Sequence, residues 1–293
     1  MQAQSILHAQ AALGEGALWD PEAERLYWVD IEGRALHCYN PASGQDQHWL
    51  TGARVGTVVP LPGGRHVLVA LQTGIHRLDT TTGRLTRLAN PLAATPSLRF
   101  NDGKCDPAGR FWVGTFDLEQ KPHAGTLYRF DPDGRLHAVL RGITNSNGIA
   151  WSLDKQTMYY IDTPMRTVQA FDYDNATGAI ANPRVIVRFA EAAGWPDGMT
   201  LDAAGHLWVA LWGGGAVHCY DPGTGALLHT VAVPALFTSS CAFGGPGLRT
   251  LYITSARGGL SEEQARAFPL SGDVFAAEPG VSGVPAEFYR GAS

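Results

Sequence analysis

The chain has 293 residues, 45% of them hydrophobic and 10% aromatic, with a formal net charge of −5. That is enough apolar mass for a sizeable core. The mild acidity and the lack of a basic stripe exclude nucleic acid as an expected partner, and no apolar run approaches the roughly 18 residues of a membrane helix.

From the N-terminus, MQAQSILHAQAAL has neither the basic start nor the long apolar core of a signal peptide. Cys38, Cys105, Cys219 and Cys241 are widely spaced with no CxxC, and read as free thiols rather than disulfides. The expectation is a cytoplasmic protein, monomeric or weakly oligomeric. The 35 Gly, the 18 Pro and the absence of a long capped helical pattern suit an all-β chain.

One short strand pattern then recurs: LYWVD at 26–30, VLVAL at 67–71, FWVGT at 111–115, MYYID at 158–162, LWVAL at 207–211 and LYITS at 251–255. The start-to-start spacings are 41, 44, 47, 49 and 44 residues. A strand running into a turn follows each, as in LHCYNPASG (36–44) and VHCYDPGTG (217–225), and most are followed by a further strand candidate such as LTRL or RVIVRF. Six such units predict an all-β, six-bladed β-propeller with four-stranded blades, one domain over residues 1–293. A pair of sandwiches or a solenoid does not account for the constant unit length together with the paired motifs. QSILHAQ at one end and AEFYRG at the other both read as strands, and at least one should complete the last blade.

Ahead of the recurring strand, a polar residue precedes glycine: Glu15 in GEG, Asp102 in NDG, Asn147 in SNG and Asp197 in PDG. Gly56 and Ser240 hold the equivalent places in units two and six. The stretch RFNDGKCD reads as a tight turn leading into a short strand, with a second turn at DPAGR. The first strand of each propeller blade lines the central channel, so these side chains should ring one mouth. Two carboxylates and an amide oxygen there would repel or go unsatisfied without a cation, and oxygen ligands suit Ca²⁺, Mg²⁺ or Mn²⁺, with a divalent transition metal also admissible. The alternative is that they are turn residues chosen for backbone geometry, which accounts for Asp102 well and for Glu15 poorly. No nucleophile elbow, phosphate loop or dinucleotide fingerprint occurs. Trp19, Trp28, Trp112, Trp151 and Trp208 fall on repeated strands and are read as core between blades.

Five segments in order, GEGALWD, LRFNDGKCDPAGRFWVGT, TNSNGIAWSLDKQTMYYID, PDGMTLDAAGHLWVA and TSSCAFGG, resemble the SMP-30/gluconolactonase/luciferin-regenerating-enzyme family nearly end to end. The resemblance implies a six-bladed propeller and metal-dependent hydrolysis of a small-molecule sugar lactone of the gluconolactone, xylonolactone or arabinonolactone type. It implies one divalent cation (Ca, Zn, Mn, Mg or Fe) on Glu15, Asn147 and Asp197, with Asp197 also serving as general base. By the same resemblance, Arg99 and Asn101 face the substrate and Glu119 lies near its hydroxyls; the following segment, QKPHAG, is shorter than in the animal members. Other readings remain open: a lactonase, esterase or phosphotriesterase on non-sugar substrates, or a non-catalytic metal-binding propeller. Trp195 and Trp212, near Asp197 and the end of the following strand, offer an apolar wall instead.

Overall fold

The computed structural model describes residues 1–291; the last two residues of the expected domain, 292–293, lie outside the described residues. After β1 (Gln4–Leu7), the strands fall into antiparallel groups of four. The first holds β2 (Gly14–Asp20), β3 (Arg25–Asp30), β4 (Ala35–Asn40) and β5 (Gln45–Leu50), and the second β6 (Val55–Pro60), β7 (His66–Leu71), β8 (Gly74–Asp79) and β9 (Leu85–Ala89). The third holds β10 (Leu98–Cys105), β11 (Phe111–Asp117), β12 (Gly125–Phe130) and β13 (Leu136–Ile143), and the fourth β14 (Ser146–Trp151), β15 (Thr157–Asp162), β16 (Thr167–Asp174) and β17 (Ala179–Arg188). In the fifth, β18 (Trp195–Leu201) pairs with β19 (Leu207–Trp212), then β20 (Ala216–Tyr220) and β21 (Leu227–Ala232). The last group begins with β22 (Phe237–Gly244) and β23 (Thr250–Ala256). A short helix, α1 (Glu262–Ala267), precedes β24 (Val274–Ala277). The pair Trp212 with Phe237 joins the last two groups, and Gln2, just ahead of β1, bridges Ala232 at the end of β21.

The N-terminal strand is the one that completes the last group: β1 pairs with β24. AEFYRG is not a strand. It runs across other groups instead, with the Tyr289 amide donating to the Pro60 carbonyl and that of Arg290 to Gly109. The Tyr289 ring stacks on Phe130 at 5.5 Å.

Burial falls from the first strand of a group to the fourth. Every residue of β2, β6 and β14 is buried, whereas β5, β9 and β21 are mostly exposed. The first strands touch in order, β2 to β6, β10, β14, β18 and β22, and β22 also touches β2. Apolar faces of adjacent groups form the core. Trp112 packs edge-on to Trp151, Trp208 edge-on to Phe243, and Trp19 stacks on Tyr252. All five tryptophans read as core are buried, each worth roughly 1.5–3 kcal/mol or more of hydrophobic stabilisation. The four cysteines are free. Among the described residues no helix is long and apolar enough to cross a membrane.

Candidate functional site

Each first strand slips register against its neighbour once, beside the predicted polar position. The slips lie between Glu15 and Leu18, Val55 and Thr57, Phe100 and Gly103, Ser146 and Ile149, Pro196 and Met199, and Thr238 and Ser240. Such bulges re-aim side chains and recur beside active sites. This corrects the expectation of a turn at NDG: Asn101 and Asp102 lie inside β10, with ladder on both sides. Asn, Asp and Gly suit bulges and turns alike because both need unusual backbone angles. The second turn, DPAGR, is present, closed by the Asp106 amide donating to the Arg110 carbonyl.

The bulges bring Glu15, Arg99, Asn101, Asn147 and Asp197 to the wall of one cavity of about 270 Å³. All five are buried, between 3% and 7% exposed. Arg99 Nη1 donates to the Phe100 carbonyl at 2.9 Å and to Asn101 Oδ1 at 2.6 Å, and its guanidinium lies 4.9 Å over the Phe116 ring. Asn101 Nδ2 donates to Asn147 Oδ1 at 2.9 Å, to the Ser146 carbonyl at 2.7 Å and to Asn145 Oδ1 at 3.2 Å. Asn101 is thus committed to Arg99 on one side and Asn147 on the other. Asn147 Nδ2 donates to Thr163 Oγ1 at 2.7 Å, and Thr163 donates to the Pro196 carbonyl at 2.8 Å.

Burial dominates the electrostatics. It raises the Glu15 carboxyl to about 8, helped by the charge of Asp102 and opposed by the Gly16 amide and Arg99. Asp197 is pushed well above the carboxylate range by burial, then by Glu15 and Asp102. Burial lowers Arg99 to about 10, while Glu15, Glu32 and Asp197 favour its charge. Asp197 Oδ1 and Arg99 Nε are buried without any hydrogen-bond partner. A buried anionic oxygen with no partner is costly, and two carboxylates beside an amide oxygen form an all-oxygen donor set. The residues present therefore fit a hard divalent cation.

Two of the residues singled out in the sequence lie off this wall. Asp102 is buried but lies off this cavity; it accepts from the Gly103 amide at 2.7 Å, and Lys104 offsets part of the burial that raises its carboxyl. Glu119 is exposed and ion-paired with Lys121, away from the cavity wall. Its strand ends at Asp117, and the turn beyond faces solvent. Conversely, Asn145, Thr163 and Glu32 line the cavity without any motif marking them. The wall also has an apolar part, made by Leu13, Phe116, Leu118, Trp195 and Trp212, the last two being the tryptophans that the sequence set near Asp197. Trp195 pairs across strands with Trp212, and the Arg166 guanidinium sits 3.5 Å above its ring.

A second cavity, of about 300 Å³, is walled by the far ends of the same first strands and by residues 284–287. It holds no converging carboxylates. Elsewhere Asp202, His206 and Cys219 lie close enough to share an ion. The Asp202 carboxylate, however, accepts from the Trp208 indole at 3.0 Å and from two backbone amides. Asp106 makes the same network with Trp112 and Arg110, so this cluster is the structural staple of a repeated turn.

A profile of the SMP-30/gluconolactonase/LRE-like region matches residues 13–257. The chain belongs to this family. It is 38% identical over 269 residues, 92% of each chain, to YvrE of Bacillus subtilis (strain 168), a protein provisionally described as a sugar lactone lactonase. It is 38% identical over 297 residues, 99% of each chain, to regucalcin of Danio rerio. Among solved structures, the calcium-binding protein regucalcin of Agrobacterium tumefaciens str. C58 matches with a TM-score of 0.94 at 31% identity, covering 98% of this chain and 97% of that one. The fold is accordingly of the β-propeller type, and the matched region contains every residue of the cavity wall described above.

Proposed function

We propose that the protein is a sugar-lactone hydrolase: one closed six-bladed propeller domain that opens aldonolactones of the gluconolactone, xylonolactone or arabinonolactone type to aldonic acids. Six closed blades are supported by the six four-stranded groups, by the contact of β22 with β2, and by the pairing of β1 with β24. The functional reading is carried by the convergence of Glu15, Asn147 and Asp197. These are oxygen donors from three sheets, with one Asp197 oxygen unpartnered and Arg99 beside them. The names of the relatives, a sugar lactone lactonase and a calcium-binding regucalcin, point the same way. The reading extends to a cytoplasmic enzyme that works on a small molecule without nucleic acid or membrane.

A divalent cation on Glu15, Asn147 and Asp197 would supply Lewis acidity toward the lactone carbonyl and lower the pKa of a water. Asp197, with an oxygen free of protein hydrogen bonds, accepts the proton of the attacking water as general base. The water oxygen bonds to the carbonyl carbon, the ring C–O bond breaks, and the ring oxygen takes up the proton held by Asp197 and leaves as a hydroxyl, which returns Asp197 to its starting state. Arg99 Nε, buried and unpartnered, donates to the oxygen on which charge develops. Asn101 holds Arg99 and Asn147 in place.

The aromatic and aliphatic wall favours one second reading, a lactonase or esterase for apolar substrates. Initial rates on gluconolactone, xylonolactone, γ-butyrolactone and a long-chain acyl-homoserine lactone, corrected for spontaneous hydrolysis, separate the two. The sugar lactones should lead by about a hundredfold in kcat/KM. Equal or faster cleavage of the apolar substrates would replace the sugar assignment, and no turnover of any of them by cation-loaded protein would leave a binding propeller.

A further inference from the structure

Glu32 follows β3 and lines the cavity of Glu15, Arg99 and Asp197. Arg54 holds its carboxylate, with Nε 2.9 Å from both oxygens. Arg54 immediately precedes β6, so the pair ties the first group of strands to the second. The side chains are 42% and 27% exposed, at the rim rather than in the core.

A polyhydroxylated lactone entering this cavity needs acceptors for its hydroxyl protons, since a donor left unpaired after desolvation costs about 1–3 kcal/mol. Each of the neutral side-chain oxygens on the wall outside the cation set already accepts a hydrogen bond and carries no charge. Asn101 Oδ1 accepts from Arg99, Asn145 Oδ1 accepts from Asn101, and Thr163 accepts from Asn147. Glu15, Asn147 and Asp197 form the donor set for the cation. Glu119, which the family resemblance puts near the hydroxyls, is exposed and paired with Lys121. Glu32 is different: a single N–H shared between its two oxygens leaves lone pairs free on both.

We propose that Glu32, held by Arg54, is the carboxylate that accepts the substrate's hydroxyls, and that it sets the preference for hydroxylated over bare lactones. This rests on the lactonase reading above. Two neighbouring ring hydroxyls match the two oxygens of one carboxylate, and such charge-assisted bonds are about twice as strong as neutral ones. Arg54 is a positioning residue, because it fixes the carboxylate without reaching the wall itself. Trp195 and Trp212, from a different group of strands, offer the apolar surface for the C–H face of the ring.

The test compares Glu32→Ala, Glu32→Gln and Arg54→Gln with the parent on gluconolactone and γ-butyrolactone, together with cation content, melting temperature and equilibrium binding of gluconate. Glu32→Ala should lose about 10- to 100-fold in kcat/KM on gluconolactone, mostly through KM, and weaken gluconate binding by a similar factor. Glu32→Gln, which keeps one acceptor oxygen, should lose less, and Arg54→Gln should show the same pattern weakly. Turnover of γ-butyrolactone should fall far less than that of gluconolactone, and cation content should be unchanged. Equal losses on both lactones, or a fallen melting temperature with unaltered selectivity, would make Glu32 structural and overturn the proposal. So would unchanged gluconolactone kinetics in an active parent. A cation-loaded parent that opens neither lactone would instead overturn the lactonase reading, and this inference with it.

Discussion

The Thr163 hydroxyl has one proton, and the Pro196 carbonyl takes it. Its contact with Asn147 must therefore be an amide N–H donated to the threonine oxygen, which turns Asn147 Oδ1 toward the cavity. Thr163 thus orients a proposed ligand without being one. Thr163→Val should lower divalent-cation affinity about 10- to 100-fold in titration calorimetry, with Thr163→Ser close to the parent. Equal affinities in all three would mean that the amide is oriented by Asn101 alone. Glu15, Asn147 and Asp197 were legible in the sequence because each stands at a near-constant distance from a recurring strand, whereas Arg99 and Asn101 were marked by the family resemblance alone. Thr163 and Glu32 were not, because they lie on turns after β15 and β3, where neither residue type nor offset repeats. Glu119 was marked only by the resemblance, which transfers positions, and here the chain around it faces solvent.

At the level of the strand, the bulges are what make a site out of a sheet. An unbroken ladder would alternate residues strictly between its two faces, whereas the extra residue frees one side chain to turn into the cavity. Gly56 marks the bulge of β6 and has no side chain to offer, yet a Cβ there would sit 2.4 Å from the Phe100 carbonyl and 2.6 Å from that of Asn101. Gly56→Ala should therefore displace β10 and with it Arg99 and Asn101. A loss of about 1–3 kcal/mol in chemical denaturation is expected, together with a fall in kcat although residue 56 touches no substrate. An alanine variant with parental stability and turnover would show that β10 can shift freely. The polar-glycine pairs were visible in the sequence, but their place inside strands was not, since that depends on which residues pair on either side. The recurring strands themselves were readable because aromatic and β-branched runs repeat at near-constant spacing.

Across the whole molecule, the chain surrounds a buried group of carboxylates that its own cations do not fully neutralise. Glu15 is held near 8, and Asp197 well above its ordinary value. A carboxyl raised above its unfolded value of 4.5 stabilises the fold at low pH and loses that contribution as pH rises through the folded value. The cation-free protein should thus melt at falling temperatures from about pH 5 to pH 8, and a saturating divalent cation, which binds the ionised form, should reverse the trend. A flat cation-free profile would mean that water reaches these groups. The six groups of strands followed from the repeat count, whereas the strand that completes the last group did not: QSILHAQ and AEFYRG both read as strands, and only the first pairs with β24. The most direct measurement is gluconolactone hydrolysis by chelator-treated protein before and after adding back a divalent cation, alongside Asp197→Ala. A cation-dependent hydrolysis through Asp197 predicts background rates without the cation, restored turnover with it, and no restoration in Asp197→Ala. Full turnover by the cation-free protein, or restoration in Asp197→Ala to the parental rate, would contradict it.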